Sequence, residues 1–324
     1  MPLIGYHASH EQHTPSDLLA YARQAEAAGF RAVSSSDHFT PWSERQGESG
    51  FAWSWLGAAL EATAVPFGVV TAPGQRYHPA ITAQAIATLT QMYPARLWVA
   101  LGTGEASNEH ITGDRWPDKA ARNERLTECV EVIRALLRGE EVSVDGHVRV
   151  DRARLWTTPE VPPPLIGAAL TEETARWCGA WADGLITVRH PPEQLRALID
   201  AFREGGGEGK PVTVQVKVAW AATDEEALAG AYDQWRTNVF ASALMADLER
   251  VDQFEIAAQH VRPEDVRDSV LVSSDLGRHA EWIHEVVDLG VDQVYVHQVP
   301  REQRGFVDAF GEKVLPQLDE ETTA

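Results

Sequence analysis

"PFGVVTAPGQRYHPAITAQAIATLTQMYPARLWVALGTG", residues 66–104, runs from an apolar segment through a polar loop and an amphipathic stretch into a second apolar segment. The two apolar segments, Pro66 to Ala72 and Leu97 to Gly104, are short, and Pro94 closes the helix-like stretch between them. Near-continuous apolar runs joined by a helix-length crossover read as two parallel strands of a βαβ unit, covered on both faces. The same alternation extends in both directions. Six further strand-like runs occur at Leu3 to Ala8, Arg31 to His38, Pro163 to Leu170, Gly184 to Val188, Val212 to Ala221 and Asp292 to Val299. Eight parallel strands alternating with helices predict an α/β fold, a closed (β/α)8 TIM barrel.

The intervening helices carry readable ends. Thr14 is an N-cap followed by Pro15, with Gly29 as the stop, and Thr171 and Thr223 each precede two or more acids. Two stretches exceed a minimal barrel: residues 140–161, where "EVSVDGHVRV" alternates around Asp145-Gly146 as a hairpin, and the helical, polar region 240–268. The expectation is one barrel domain over residues 1–324 with those two insertions.

With 324 residues and 44% hydrophobic content, the chain can bury a large core. Its formal charge of −20 argues against a nucleic-acid or anionic-membrane surface, which needs clustered Lys and Arg. The N-terminal stretch lacks a signal peptide's basic start and apolar run, and Cys129 and Cys178 are the sole cysteines. A cytoplasmic, soluble protein acting on a small molecule is expected, without nucleic-acid or membrane partners.

In a parallel barrel, reactive groups gather where strands end. That filter selects His7 and His10 after the first strand, Asp37, His38 and Trp42 after the second, and Thr71 and Gln75 after the third. It also selects Thr103, Glu105 and Asn108 after the fourth, and Thr187 and Arg189 after the sixth. Asp37 and His38 are neighbours on extended chain, so one side chain turns to the barrel axis and the other sideways. A histidine titrates near neutral pH, and Glu105 across the mouth would complete an acid/base pair with room for a ring between them. The "GTG" at Gly102–Gly104 lacks a third glycine and the later acid of a dinucleotide fingerprint, yet it permits close approach of a flat ring or phosphate. His7, His10 and His13 recur every three residues across a strand exit, a poor zinc spacing, so no metal is expected. Eleven tryptophans, Trp42 and the "FAWSW" run among them, could line a planar ligand or simply pack.

The motifs "GYHASHEQ", "SDHFTPW", "RYHPAITAQAIATL", "YPARLWVALGTGEASNE" and "ADGLITV", in this order over the first 190 residues, resemble the bacterial luciferase-like superfamily of flavin- and deazaflavin-dependent enzymes. They most resemble the branch of F420-dependent glucose-6-phosphate dehydrogenases. The resemblance implies His38 as the base that takes a substrate hydroxyl proton and Glu105 as proton donor. It places Asp37, Trp42 and Asn108 at the cofactor and implies a non-proline cis peptide at Val69-Val70 behind the ring. Thr103, Gly104, Gly167, Ala168, Ala169 and Thr187 complete the implied cofactor wall. Pro191 stands where the sugar-phosphate enzymes keep a lysine, and Ala169-Leu170 where they keep paired glycines, which argues against glucose 6-phosphate as substrate. "TAPGQRYHP" resembles an FMN-using sister subfamily, so FMN is the first cofactor expectation and coenzyme F420 its alternative. Relatives pair as homodimers, the assembly expected here. The competing readings are a monooxygenase using reduced FMN and oxygen, a metal-dependent hydrolase built on His7 and His10, and a non-catalytic barrel.

Overall fold

A computed structural model describes residues 2–320. Its strands are β1 (Leu3–Ala8), β2 (Val33–Ser36), β3 (Phe67–Thr71), β4 (Leu97–Leu101), β5 (Val142–Asp145), β6 (Arg149–Ala153), β7 (Leu165–Ala168), β8 (Leu185–Val188), β9 (Val212–Ala219), β10 (Leu271–Val272) and β11 (Gln293–Gln298). The parallel order β11-β1-β2-β3-β4-β7-β8-β9 closes on itself because β9 also pairs with β11, giving the eight-stranded TIM barrel. The short β10 continues the sheet beside the far end of β9. β5 and β6 form a separate antiparallel hairpin, and residues 242–268 fold as short helical pieces between β9 and β10.

Local chemistry fixes the helix starts. Thr14, Thr171 and Thr223 each accept the backbone N–H three residues on, at Asp17, Thr174 and Glu226, and each satisfies a donor that the first turn leaves open. His78 does the same for Pro79–Met92, its ring accepting from the Ala80 N–H.

Strand alternation then sorts side chains into two layers. Ile4, Tyr6, Val33, Phe67, Val69, Val99, Leu165, Val212, Val214 and Val216 belong to the main core between strands and helices. Ala32, Trp98, Ala100, Ile166, Ile186 and Tyr295 form a smaller core inside the barrel. Two glycines make that inner core feasible. A methyl on Gly68 would lie 1.9 Å from the Trp98 ring, and one on Gly5 would lie 2.4 Å from Tyr295. The two rings, 5.6 Å apart, lie in these gaps, and the Trp98 indole N–H donates to the Tyr295 hydroxyl at 3.0 Å. The barrel floor is packed protein, so any ligand site belongs to the other end.

One expectation is corrected here. No cis peptide bond occurs among the described residues. Val69 and Val70 lie in unbroken ladders, paired with Ser35 and Ser36 on one side and with Val99 and Ala100 on the other. Regular pairing on both edges holds this stretch extended and leaves no bulge behind a ring.

Candidate active site

The loop after β1 supplies a residue that the strand-exit filter passed over. Glu11 is 1% exposed, and its Oε1 accepts the Nδ1–H of His38 at 2.6 Å. Its Oε2 accepts the hydroxyls of Ser9 at 2.7 Å and Ser36 at 2.9 Å. Burial works against the charge of Glu11, but His38 and the two serine hydroxyls overcome it and hold its pKa well below the usual carboxylate range. An ionised carboxylate can only accept, so the shared proton resides on Nδ1, and in neutral His38 the lone pair lies on Nε2.

Burial pulls the His38 pKa down, while the charge and hydrogen bond of Glu11, with Glu105 adding, pull it up and prevail, leaving it raised. Its side chain keeps 21% of its surface accessible, so a ligand can reach it. Glu105, at the end of β4, is half-buried. Desolvation raises its pKa, against the opposing charge of His38 and a weaker pull from the Trp42 indole N–H. That indole N–H makes no hydrogen bond of standard geometry. The Trp42 ring stands edge-on to His38, centroids 4.6 Å apart, and Trp235 stands 6.0 Å beyond it. His38, Glu105 and Trp42 therefore stand together at the barrel mouth.

The remaining candidates divide. Asp37 turns sideways, as extended chain requires, and is enclosed: it accepts from the Thr71 hydroxyl at 2.7 Å and the Tyr77 hydroxyl at 2.9 Å. Asn108 holds the loop after β2, its Oδ1 accepting from the N–H groups of Phe39 and Thr40 at 2.8 and 3.3 Å, while its Nδ2 reaches Glu105 at 3.4 Å. Gln75 is held by Arg125 and Glu109, and Thr103 accepts from Lys119 at 3.2 Å. Val70, Gly102, Thr103, Gly104 and Ala168 are partly exposed residues at or just past the ends of β3, β4 and β7. A methyl on Gly102 would find nothing closer than Ala168 at 3.8 Å. The open side of Gly102 leaves room for a flat ring at this end of the barrel.

Four expected wall residues lie elsewhere. Val69 and Ala169 pack in the outer core. A methyl on Gly167 would meet Cys178 at 2.7 Å, so that position faces the helix Glu172–Gly179. Thr187 pairs with Val214, an outer-core residue, and shares its outward direction. In each case the two-residue period of the strand turns the side chain away from the mouth, and of residues 167–169 only Ala168 faces it.

The three histidines near β1 also diverge. His7 joins the barrel mouth, its Nδ1 2.9 Å from the Ser34 hydroxyl, whereas His10 packs edge-on to Trp55 at 4.9 Å and His13 to Tyr21 at 5.3 Å. Among the described residues, no group of three or more His, Cys, Asp or Glu is arranged to hold a metal ion.

The chain is similar over nearly its whole length to proteins of known activity. The chain is 34% identical to the F420-dependent glucose-6-phosphate dehydrogenase of Beutenbergia cavernae, over 97% of both chains. It is 35% identical to the F420-dependent hydroxymycolic acid dehydrogenase of Mycobacterium tuberculosis, over 97% of this chain and 88% of that one. A solved F420-dependent secondary alcohol dehydrogenase, in complex with an F420-acetone adduct, superposes with a TM-score of 0.89 at 30% identity and covers 97% of this chain and 98% of its own. Residues 3–293 match the family described as luciferase-like monooxygenase, and to that family the chain belongs.

Proposed function

We propose that the protein is an oxidoreductase that moves a hydride between the carbinol carbon of a small organic substrate and coenzyme F420, with His38 as base and Glu105 as acid. One observation carries the reading: the Nδ1–H bond to buried, ionised Glu11 leaves Nε2 of His38 as the proton acceptor in a cleft shared with Glu105. The deazaflavin, when bound, supplies a two-electron acceptor for the hydride. Nε2 of His38 removes the hydroxyl proton as the C–H bond breaks, and Glu11 steadies the imidazolium that forms. The raised pKa of Glu105 favours a carboxyl that holds a proton for delivery. Trp42 and the wall of Val70, Gly102, Gly104 and Ala168 orient a planar ring and keep water from it.

F420 takes precedence over FMN because both dehydrogenase relatives above, and the superposed alcohol dehydrogenase, carry F420 in their names. The family description keeps a second reading in play, a monooxygenase using reduced FMN and oxygen. Titrating F420 and FMN side by side, by quenching of cofactor fluorescence, separates them. Tight F420 binding, followed by alcohol-dependent bleaching of its visible band, supports the proposal. FMN binding with oxygen uptake, and none by F420, overturns it.

The homodimer is also a proposal. An apolar groove of about 330 Å³, lined by Phe51, Trp53, Tyr77, Ile81 and Leu89, lies among the helices rather than at the mouth and is the surface on which to seek it. Sedimentation of Ile81→Glu beside the wild type tests it, and a monomeric wild type rejects it. No helix among the described residues is long and apolar enough to cross a membrane.

A further inference from the structure

One charge at the barrel mouth has no part in the chemistry above. On β9, Val212, Val214, Val216 and Val218 pack in the outer core, so Thr213, Gln215 and Lys217 point into the barrel. Lys217 pairs in register with His297 of β11, and its Nζ stands 5.5 Å from the centroid of the Trp235 ring. Trp235 stands 6.0 Å from Trp42, and Trp42 4.6 Å from His38, so a chain of ring contacts two indoles long runs from the ammonium to the His38 imidazole.

No described residue forms an ion pair with this cation, and none accepts a hydrogen bond from its Nζ; desolvation alone lowers its pKa, to about 8. Its titratable neighbours are His7 of β1, His190 beyond β8 and His297. Burial favours the neutral form of each, and Lys217 pushes them further that way. His297 cannot share the charge. The Gln12 amide nitrogen already donates to Gln234 Oε1 and the Val299 carbonyl, so Gln12 Oε1 must accept from Nε2–H of His297. The Nδ1 of His297 is buried without a hydrogen-bond partner. A desolvated ammonium without a counter-ion is costly, and such groups concentrate where a ligand completes them.

We propose that Lys217 anchors the substrate by binding a carboxylate, so that the enzyme oxidises hydroxycarboxylates whose carbinol reaches His38 in preference to neutral alcohols. This rests on the redox reading above for the carbinol, though the anion site itself does not. A single lysine among neutral imidazoles matches the one charge of a carboxylate better than the two of a phosphate monoester. The spacing of two indoles calls for a chain of several carbons between carboxylate and carbinol.

The chain has four lysines, Lys119, Lys210, Lys217 and Lys313, so reductive ¹³C-methylation yields a spectrum simple enough to follow each one. Hexanoate should shift the Lys217 signal saturably and leave the other three unmoved, and hexanamide should shift none. Lys217→Gln should assign the signal and weaken hexanoate binding by calorimetry at least tenfold, with Lys217→Arg restoring most of it. Equal responses to hexanoate and hexanamide, or a Lys217→Gln variant that binds hexanoate like the wild type, would overturn the proposal. So would tighter binding of hexyl phosphate than of hexanoate, or loss of F420 affinity with hexanoate affinity intact. Where Lys217→Gln fails to fold, Lys217→Arg also removes the signal and assigns it, and the wild-type response to hexanoate against hexanamide then decides the matter. Hexanoate binding without F420 reduction by any alcohol would sink the redox reading and leave the anion site standing.

Discussion

Asp37 and His38 are adjacent in the chain and belong to opposite kinds of network. Asp37, its side chain 1% exposed, has both oxygens engaged by Thr71 and Tyr77, and its carbonyl accepts from Arg76 at 2.7 Å. Arg76 also approaches Glu109 at 3.6 Å, and the Arg76 backbone N–H donates to that carboxylate at 2.6 Å. Three loops, after β2, β3 and β4, are tied together by the buried charges of Asp37, Arg76 and Glu109. His38 has its Nδ1 fixed in the same manner by a buried acid, but its Nε2 is left for a ligand. Both networks join a carboxylate to a nitrogen donor, and what separates the scaffold from the proposed reactive centre is one nitrogen of the partly exposed His38 left without a protein partner.

The largest expected effect lies at His38. Replacing it with Ala should lower turnover on the order of 10³-fold, within the range of general acid–base catalysis, with F420 affinity unchanged in a fluorescence titration. Turnover near that of the wild type would remove His38 from the reaction. Asp37→Asn attacks the sealed network. It should cost about 3 kcal/mol in urea unfolding, because Arg76 stays buried beside a weakened partner. A loss below about 1 kcal/mol would mean the network behaves like a surface pair. Gly68→Ala should cost about 1–3 kcal/mol by forcing Trp98 from its slot, whereas Gly102→Ala, with open space around it, should spare stability and weaken ring binding instead.

Glu11→Gln sharpens the comparison through pH alone. Glu11 raises the pKa of His38, and the base must be deprotonated to act, so the acid limb of kcat/KM for alcohol oxidation should move to lower pH in the variant. The same coupling bears on stability. A raised histidine adds stability that is complete below its ordinary value of 6.5 and is lost as pH climbs through the raised one, and Glu11→Gln should flatten that slope. An unmoved limb would assign the profile to another group.

Much of this was legible in the chain. The eight strands, the threonine caps and the divergence of Asp37 from His38 follow from local periodicity and hydrogen-bonding habit, which act over a few residues. Glu11 is masked in "HASHEQH" by the three histidines around it. The useful signal is an acid three residues past a strand end, preceded by Ser9 and His10. Lys217 escaped although "VTVQVKV" declares its alternation: every second residue is valine, so the lysine must share the inner face. The orientations of Gly167, Val69 and Thr187 follow from the same period, which resemblance alone did not apply. The Asp37–Arg76–Glu109 network is a product of closure, its members 72 positions apart at the extremes and brought together only when three loops meet.

The interlocked Trp98 and Tyr295 rings leave this molecule a single doorway. Two reactants that must meet inside a one-ended chamber cannot pass each other, so the one that lodges deeper enters first and departs last. An excess of the outer reactant then traps the inner one after reaction, and steady-state kinetics should display ordered addition with inhibition at high concentrations of whichever partner docks nearer the rim.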